Sequence, residues 1–231
     1  MRLHEITEGI LDPDQEFMQR FTYAVEDAAR EYAEFLKDNN DQDDPEELAS
    51  ILETFFEEED LPITVHVGES GRNAVDWYIQ AAQVTGSGEM DLILDPDSID
   101  GHWGPETFID VMTKTFEHET IHLQQRDRMG ADKYNKLPSG YMKGLKKAEK
   151  TGKERDLMRT YFRDPQELMA HGHDIYREVI KLSDPEAALR NPEKHREDLP
   201  TYDKHRQIFP PNAKPLQRMM KYAYQYFQKN A

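Results

Sequence analysis

Apolar residues recur at steps of three and four along several segments of the chain, the spacing that places them on one face of an α-helix. Proline or aspartate stands near the beginning of several of these segments, as is typical of the start of a helix. Helices are predicted over residues 14–37, from Pro45 into the acidic residues 57–60, and over 105–128, 164–182 and 215–228.

The period changes between the second and third of these helices. Residues 61–67, 74–84 and 90–94 are rich in β-branched and aromatic side chains, and glycine-containing turns separate them. They predict three strands. We therefore expect an α+β, mainly helical fold with a small three-stranded sheet packed on the third helix.

The rest of the chain gives weaker signals. Residues 131–160 are rich in lysine and glycine and predict short helical pieces, while the proline-rich residues 184–214 predict a loop over the surface. The expected organisation is an N-terminal helical region (1–60), a core (61–183) and a proline-rich loop with a C-terminal helix (184–231). All three are expected to form one compact domain.

Composition narrows the classes of function. The 231 residues carry a net charge of −17, which disfavours binding to nucleic acid because phosphates would be repelled over most of the surface. There is no cysteine, so any metal must be held by His, Asp or Glu. No apolar run approaches the length of a membrane span, and the first residues do not resemble a signal peptide, so we expect a cytoplasmic protein with no membrane partner.

The candidate chemistry lies in the third predicted helix, in the sequence HETIH. His118 and His122 are four residues apart, so they lie one turn above each other and can direct two imidazoles at one ion. Glu119 is rotated by about 100° from His118, a position from which a carboxylate can take a proton from water beside the metal. This is the HExxH pattern, with two ligands and a general base. Glu117 is expected to face outward.

A zinc site needs a third protein ligand, and the helix that starts at Asp164 and Pro165 offers candidates. Glu167 is favoured, because Asp164 can cap this helix and His171, four residues after Glu167, could then orient a ligand. His171 and His173 are the alternative third ligands. Glu167 could instead be an exposed carboxylate at a helix N-terminus.

These residues resemble the zincin metallopeptidases of the gluzincin-like type, which combine an HExxH helix with a glutamate ligand from a later helix. The resemblance covers residues 61–182, and only its HExxH element is specific. It implies Zn²⁺ bound by His118, His122 and Glu167, with Glu119 as general base, acting on a peptide or protein substrate. The sequence departs from the type at His171, where an aspartate is often found. The opening MRLHEIT also resembles proteins of tailed bacteriophages, which implies a location in the host cytoplasm or the virion.

A hydrolase of this kind also needs a donor for the oxyanion of the transition state. Tyr161 is the first candidate, with Tyr141 and His173 as others, although tyrosines more often serve packing. Two further functions remain open. The chain could be a structural or host-protein-binding protein with a degenerate metal site, or a hydrolase of another amide such as a cell-wall peptide. The sequence leaves the oligomeric state undetermined.

Overall fold

The computed structural model of the protein describes residues 11–39, 44–68, 79–84, 90–94, 105–130 and 159–230. Helices dominate this part of the chain, which confirms the mainly helical α+β class. None of the helices described combines the length and the apolar character that crossing a membrane requires. The α-helices are α1 (Gln15–Asp38), α2 (Pro45–Glu58), α3 (Pro105–Met129), α4 (Pro165–Val179), α5 (Pro185–Arg190), α6 (Pro200–Ile208) and α7 (Lys214–Asn230), with a 3₁₀ helix at Pro192–Asp198.

The described residues divide between two compact units. The first unit lies within Asp12–Leu123, and the second comprises Leu11 and the chain from Gln124 onward. The division falls inside α3, between Leu123 and Gln124. Composition and turn residues mark loops, but a compact unit is defined by packing between distant elements, and a long helix can pass from one unit to the next.

The first unit contains the sheet, whose strands are β1 (Ile63–Val67), β2 (Ile79–Val84) and β3 (Met90–Leu94). β3 lies in the centre, parallel to β1 and antiparallel to β2. Alternate residues of β1 and β3 are buried, which leaves one apolar face on each strand for the core. The buried residues are Ile63, Val65, Met90, Leu92 and Leu94.

An aromatic group at the centre of the first unit joins three helices. The ring of Phe21 on α1 stacks on Phe56 of α2 at a centroid distance of 5.6 Å and on Phe116 of α3 at 4.2 Å. Phe108, Met112 and Phe116 follow one another at four-residue steps, and they share one hydrophobic core with β1 and β3. The first half of α3 is thereby fixed against the rest of its unit. The zincin-like arrangement itself stays a prediction.

In the second unit, α4 and α7 approach each other closely. A Cβ atom added to Gly172 of α4 would lie 2.5 Å from the Cβ atom of Tyr222 and 3.1 Å from the carbonyl oxygen of Met219. No side chain fits that gap, so glycine is what allows the two helices to pack at this distance. The far end of α7 is tied down by Tyr226, whose hydroxyl donates to the carbonyl of Leu11 at 2.6 Å.

The expected loop over residues 184–214 is wrong. This segment forms α5, the 3₁₀ helix and α6, and each of the three begins with a proline: Pro185, Pro192 and Pro200. Proline is well suited to the first helical position, because the N–H group it lacks would have had no partner inside the helix. These prolines therefore mark the starts of helices and not a loop.

Aspartate caps confirm the predicted start of α4. The carboxylate of Asp164 accepts from the backbone N–H of Gln166 at 2.9 Å, and Pro165 follows as the first helical residue. The same Asp–Pro pair starts α2 at Asp44 and α5 at Asp184, each with a carboxylate that accepts from the first turn.

Candidate metal centre

The HExxH residues of α3 are buried. His118 and Glu119 are each 9% exposed and His122 is 7% exposed, within a run from Phe116 to His122 in which every residue is buried. A helix buried on all sides at one turn is unusual for a chain with so many charged residues. The expectation that Glu117 faces outward is wrong, because this side chain is also buried.

The two imidazoles meet on one side of the helix. Their ring centroids are 5.0 Å apart and the rings stand edge to face. One nitrogen of His118, one of His122 and one carboxylate oxygen of Glu119 all lie within 4.8 Å of one another. The three groups could therefore hold a metal ion. Imidazole nitrogens are ligands that Zn²⁺ favours, so the donor set fits this ion.

Glu119 is positioned by the core-facing side of α3. It lies three residues after Phe116 and four before Leu123, both of which contact the hydrophobic core of the first unit. By helix spacing, Glu119 lies between the face of α3 that carries Phe116 and the face that carries the two histidines.

The second unit holds a stripe of ionisable residues on α4. Its four members are spaced four, three and four residues apart, which keeps them on one face of the helix. These residues are Glu167, His171, Asp174 and Glu178. All are buried or partly buried. The opposite side of α4 faces α7 at Gly172.

His171 is oriented within this stripe by Asp174. Its Nδ1 atom lies 3.1 Å from Oδ2 of Asp174, and the two side chains are only 12% and 7% exposed. An ionised carboxylate can only accept, so Nδ1 carries the proton and donates. This leaves Nε2 as the nitrogen that could bind a metal, in the arrangement in which a carboxylate orients a ligating histidine.

The other predicted site residues of this unit have different surroundings. His173 is 5% exposed, and its ring packs edge-on against Tyr226 of α7 at 5.0 Å. It is two residues from His171, which turns it about 200° around the helix, away from the ionisable stripe. The ring of Tyr161 lies 6.0 Å from that of His171. Tyr141 falls outside the described residues.

Sequence reasoning missed one buried histidine in the second unit, His205 of α6. It is fully buried, and its Nδ1 atom donates to the carbonyl of Thr201 at 2.9 Å. Its ring lies 4.7 Å from that of His171 and 4.1 Å from that of Phe162. Burial, with a smaller contribution from His171, lowers the pKa of His205 to about 3, so the imidazole is neutral at physiological pH.

Asp174 and Glu178 were also missed, although the sequence carried a signal for them. The pattern Glu-x₃-His-x₂-Asp-x₃-Glu continues the helical spacing from Glu167 and His171. No comparable signal exists for His205, because its neighbour His171 is distant in sequence.

Comparisons of the chain with protein-family models, with curated proteins and with solved structures find no match. The metal-binding capacity of His118, Glu119 and His122 therefore rests on the geometry of the turn itself.

Proposed function

We propose that the protein is a zinc-dependent peptidase in which His118 and His122 hold the metal and Glu119 is the general base. The observation that carries the proposal is the buried turn of α3, where these three side chains offer donor atoms within 4.8 Å of one another. Burial favours such a role, because charged and polar groups are costly to desolvate unless an ion or a hydrogen bond compensates them.

The chemistry would divide among these groups as follows. When bound, Zn²⁺ makes water acidic near neutral pH and polarises a substrate carbonyl. Glu119 accepts the proton as the water oxygen adds to the carbonyl carbon, and it then delivers that proton to the amide nitrogen as the C–N bond breaks. The low exposure of Glu119 keeps competing water away from its carboxylate.

The third ligand that a zinc site needs stays a proposal from the sequence, with Glu167 and His171 as its candidates. Glu167 is the residue that the gluzincin resemblance implies. His171 gains support from its bond to Asp174, which fixes the tautomer that a ligand needs. His173 is disfavoured by its packing against Tyr226.

The alternative is a protein that binds a metal for structure or binds a partner without catalysis. The low exposure of His118 and His122 favours this alternative, since a catalytic zinc needs a position open to water and substrate. A phage origin and a cytoplasmic or virion location stay expectations from the sequence.

Metal content measured by elemental mass spectrometry tests the proposal. Wild type should hold one zinc per chain, and His118→Ala and His122→Ala should lose it. His66→Ala is the matched control: His66 is a histidine of the same unit, half exposed and paired with Asp91 at 3.6 Å, and its loss should leave the zinc in place.

Activity on a quenched-fluorescence peptide library separates the two functions. Glu119→Gln should keep zinc and lose hydrolysis by a factor of about 10² to 10⁴, the contribution typical of a general base. Wild type without zinc after reconstitution would contradict the metal site. Zinc without hydrolysis in wild type would favour the structural alternative.

A further inference from the structure

We propose that the outer face of α7 is a docking surface for an acidic segment of a partner protein. This surface lies on a single helix of the second unit and has no part in the metal centre. Its charge, its exposure and the spacing of its residues all favour an acidic ligand.

The charge of α7 is opposite to that of the chain as a whole. The chain has a net charge of −17, with 46 acidic residues against 29 lysines and arginines. Between Lys214 and Asn230, by contrast, α7 contains no aspartate or glutamate, so every charged residue of this helix is a cation. These cations are Lys214, Arg218, Lys221 and Lys229.

Three of these cations form a row along the exposed side of α7. Lys214, Arg218 and Lys221 follow one another at steps of four and three residues, which places them on one face of the helix over about 10 Å. Lys214 and Lys221 are exposed and Arg218 is partly exposed. The buried residues of α7, which include Tyr222 and Ala223 beside Gly172 of α4, lie on the opposite face. We call the three cations the basic stripe.

The basic stripe is not neutralised by the part of the chain that the structure describes. Within that part, Lys214, Arg218 and Lys221 form no ion pair with a carboxylate, whereas three arginines of the preceding helices each do. The guanidinium of Arg218 lies over the ring of Tyr222 at 5.9 Å from its centroid, a contact that leaves the positive charge in place. The paired residues are Arg190 with Glu186, Arg196 with Asp203, and Arg206 with Glu193.

An aromatic side chain borders the basic stripe. Tyr224 follows Lys221 by three residues, and it is 44% exposed, which is high for a large aromatic residue. Tyrosine and arginine are both enriched in protein interfaces, because each offers a broad contact area together with hydrogen-bonding groups. The surface therefore offers a partner both cations and apolar area.

Carboxylates of a short protein segment are the anions that suit this surface. A guanidinium can bind a carboxylate through two parallel hydrogen bonds, and the ammonium groups of lysine add further donors. Phosphates share this chemistry. A nucleic acid or an anionic membrane, however, carries its charge over a large area, and the acidic surplus of the rest of the molecule would repel it. A short acidic segment need contact only the basic stripe and Tyr224.

The test is the binding of a fluorescent peptide to the full-length protein, followed by fluorescence anisotropy. The probe has about twelve residues, with glutamates at helical spacing, one leucine and alanine elsewhere, so as a helix it can cover the basic stripe. A chelator in the buffer prevents metal-dependent hydrolysis of the probe. Wild type should bind the peptide, and its affinity should fall as salt is added. A peptide with glutamine in place of each glutamate should not bind.

Removing the basic stripe should remove most of this affinity. The triple variant Lys214→Gln, Arg218→Gln, Lys221→Gln should bind the acidic peptide at least about tenfold more weakly, because each exposed ion pair contributes up to about fivefold. Glutamine forms helices nearly as well as lysine and arginine, so this variant should keep the wild-type melting temperature. Tyr224→Ser should weaken binding by a factor that does not change with salt, because the contact it removes is uncharged.

The matched control makes the same change in net charge at other places on the surface. Arg30→Gln, Lys37→Gln and Lys194→Gln together remove three exposed cations from α1 and the 3₁₀ helix. This control variant should bind the acidic peptide as wild type does. An equal loss of affinity in the control and in the stripe variant would overturn the proposal, because net charge alone would then explain the binding.

Other results would also overturn it. If wild type does not bind the acidic peptide at low salt, the basic stripe is an ordinary solvated helix face. If single-stranded DNA of equal charge or vesicles of anionic lipid bind more tightly than the peptide, and the stripe variant loses that binding, the ligand is phosphate. A wild-type dimer in sedimentation that the stripe variant dissociates would make a second copy of the chain the occupant. None of these results affects the zinc measurements, so the proposed function stands or fails separately.

Discussion

Replacing Gly172 by alanine tests the close approach of α4 and α7 directly. Alanine is the better helix former by about 1 kcal/mol, so an exposed helical glycine would gain stability from the change. At this position the new methyl group would meet Tyr222 Cβ at 2.5 Å, and also two backbone atoms of α7, at 3.1 and 3.2 Å. Those atoms belong to the helix itself and cannot move aside as the end of a flexible side chain could.

Relief of the clash requires α7 to shift as a whole. Overpacking of this kind costs about 1–3 kcal/mol, and we take the upper end because backbone atoms are involved. After the gain in helix propensity, a net loss of about 2 kcal/mol remains. In a chain of this length that loss corresponds to a melting temperature lower by about 4–8 °C.

Calorimetry of wild type and Gly172→Ala gives the measurement. A melting temperature of Gly172→Ala at or above that of wild type would refute the reasoning. The gain in helix propensity would then be the only effect of the change, which means that α4 and α7 do not lie as close together as the structure shows.

Three further predictions concern other positions. In metal-free protein, stability should fall by about 2 kcal/mol between pH 7.5 and pH 5, because the pKa of His205 is lowered from 6.5 to about 3 and the unfolded chain binds a proton first as the pH falls. In His205→Leu the free energy of unfolding, measured by urea titration at each pH, should change less with pH. An unchanged pH dependence would contradict this prediction. Gly130→Ala should lower the free energy of unfolding by about 1–2 kcal/mol, because Gly130 has φ of +79° and no atom of the described residues lies within contact of a Cβ placed there. Gly130→Asn should lower it by less, because asparagine adopts positive φ more readily than alanine. Equal losses in the two variants would show that backbone strain is not the cause. Phe116→Ala should cost about 3–5 kcal/mol, the loss of a fully buried ring, whereas a loss below 1 kcal/mol in chemical denaturation would contradict the packing on Phe21.

Local signals located most of the helices. Asp164 and Pro165 begin α4 as expected, and Gly130 follows the last residue of α3 with the positive φ that favours glycine. The same kind of signal failed for residues 184–214, where the prolines predict a loop but in fact start short helices. A proline excludes the interior of a helix but not its first turn, so the residue alone does not distinguish the two cases.

The candidate site was predictable only in part, for a related reason. The spacing of His118, Glu119 and His122 follows from helix geometry alone, and the structure brings their donor atoms together. The burial of Glu117 and the place of His205 depend on which elements pack around them, and the spacing of residues along one helix contains no information about that.

The two groups of buried ionisable residues present the same energetic problem. Carboxylates and imidazoles lose hydration when buried, and each loss must be offset by a hydrogen bond, an opposite charge or a metal. Glu178 accepts from the backbone N–H and the hydroxyl of Thr201, and Asp174 accepts from His171. On the HExxH turn, two imidazoles and a carboxylate offer donor atoms within 4.8 Å of one another, so this turn could hold a divalent cation. Zinc should therefore raise the free energy of unfolding of wild type and not that of His118→Ala. This difference depends on the metal site alone, so it can be measured without knowing the substrate.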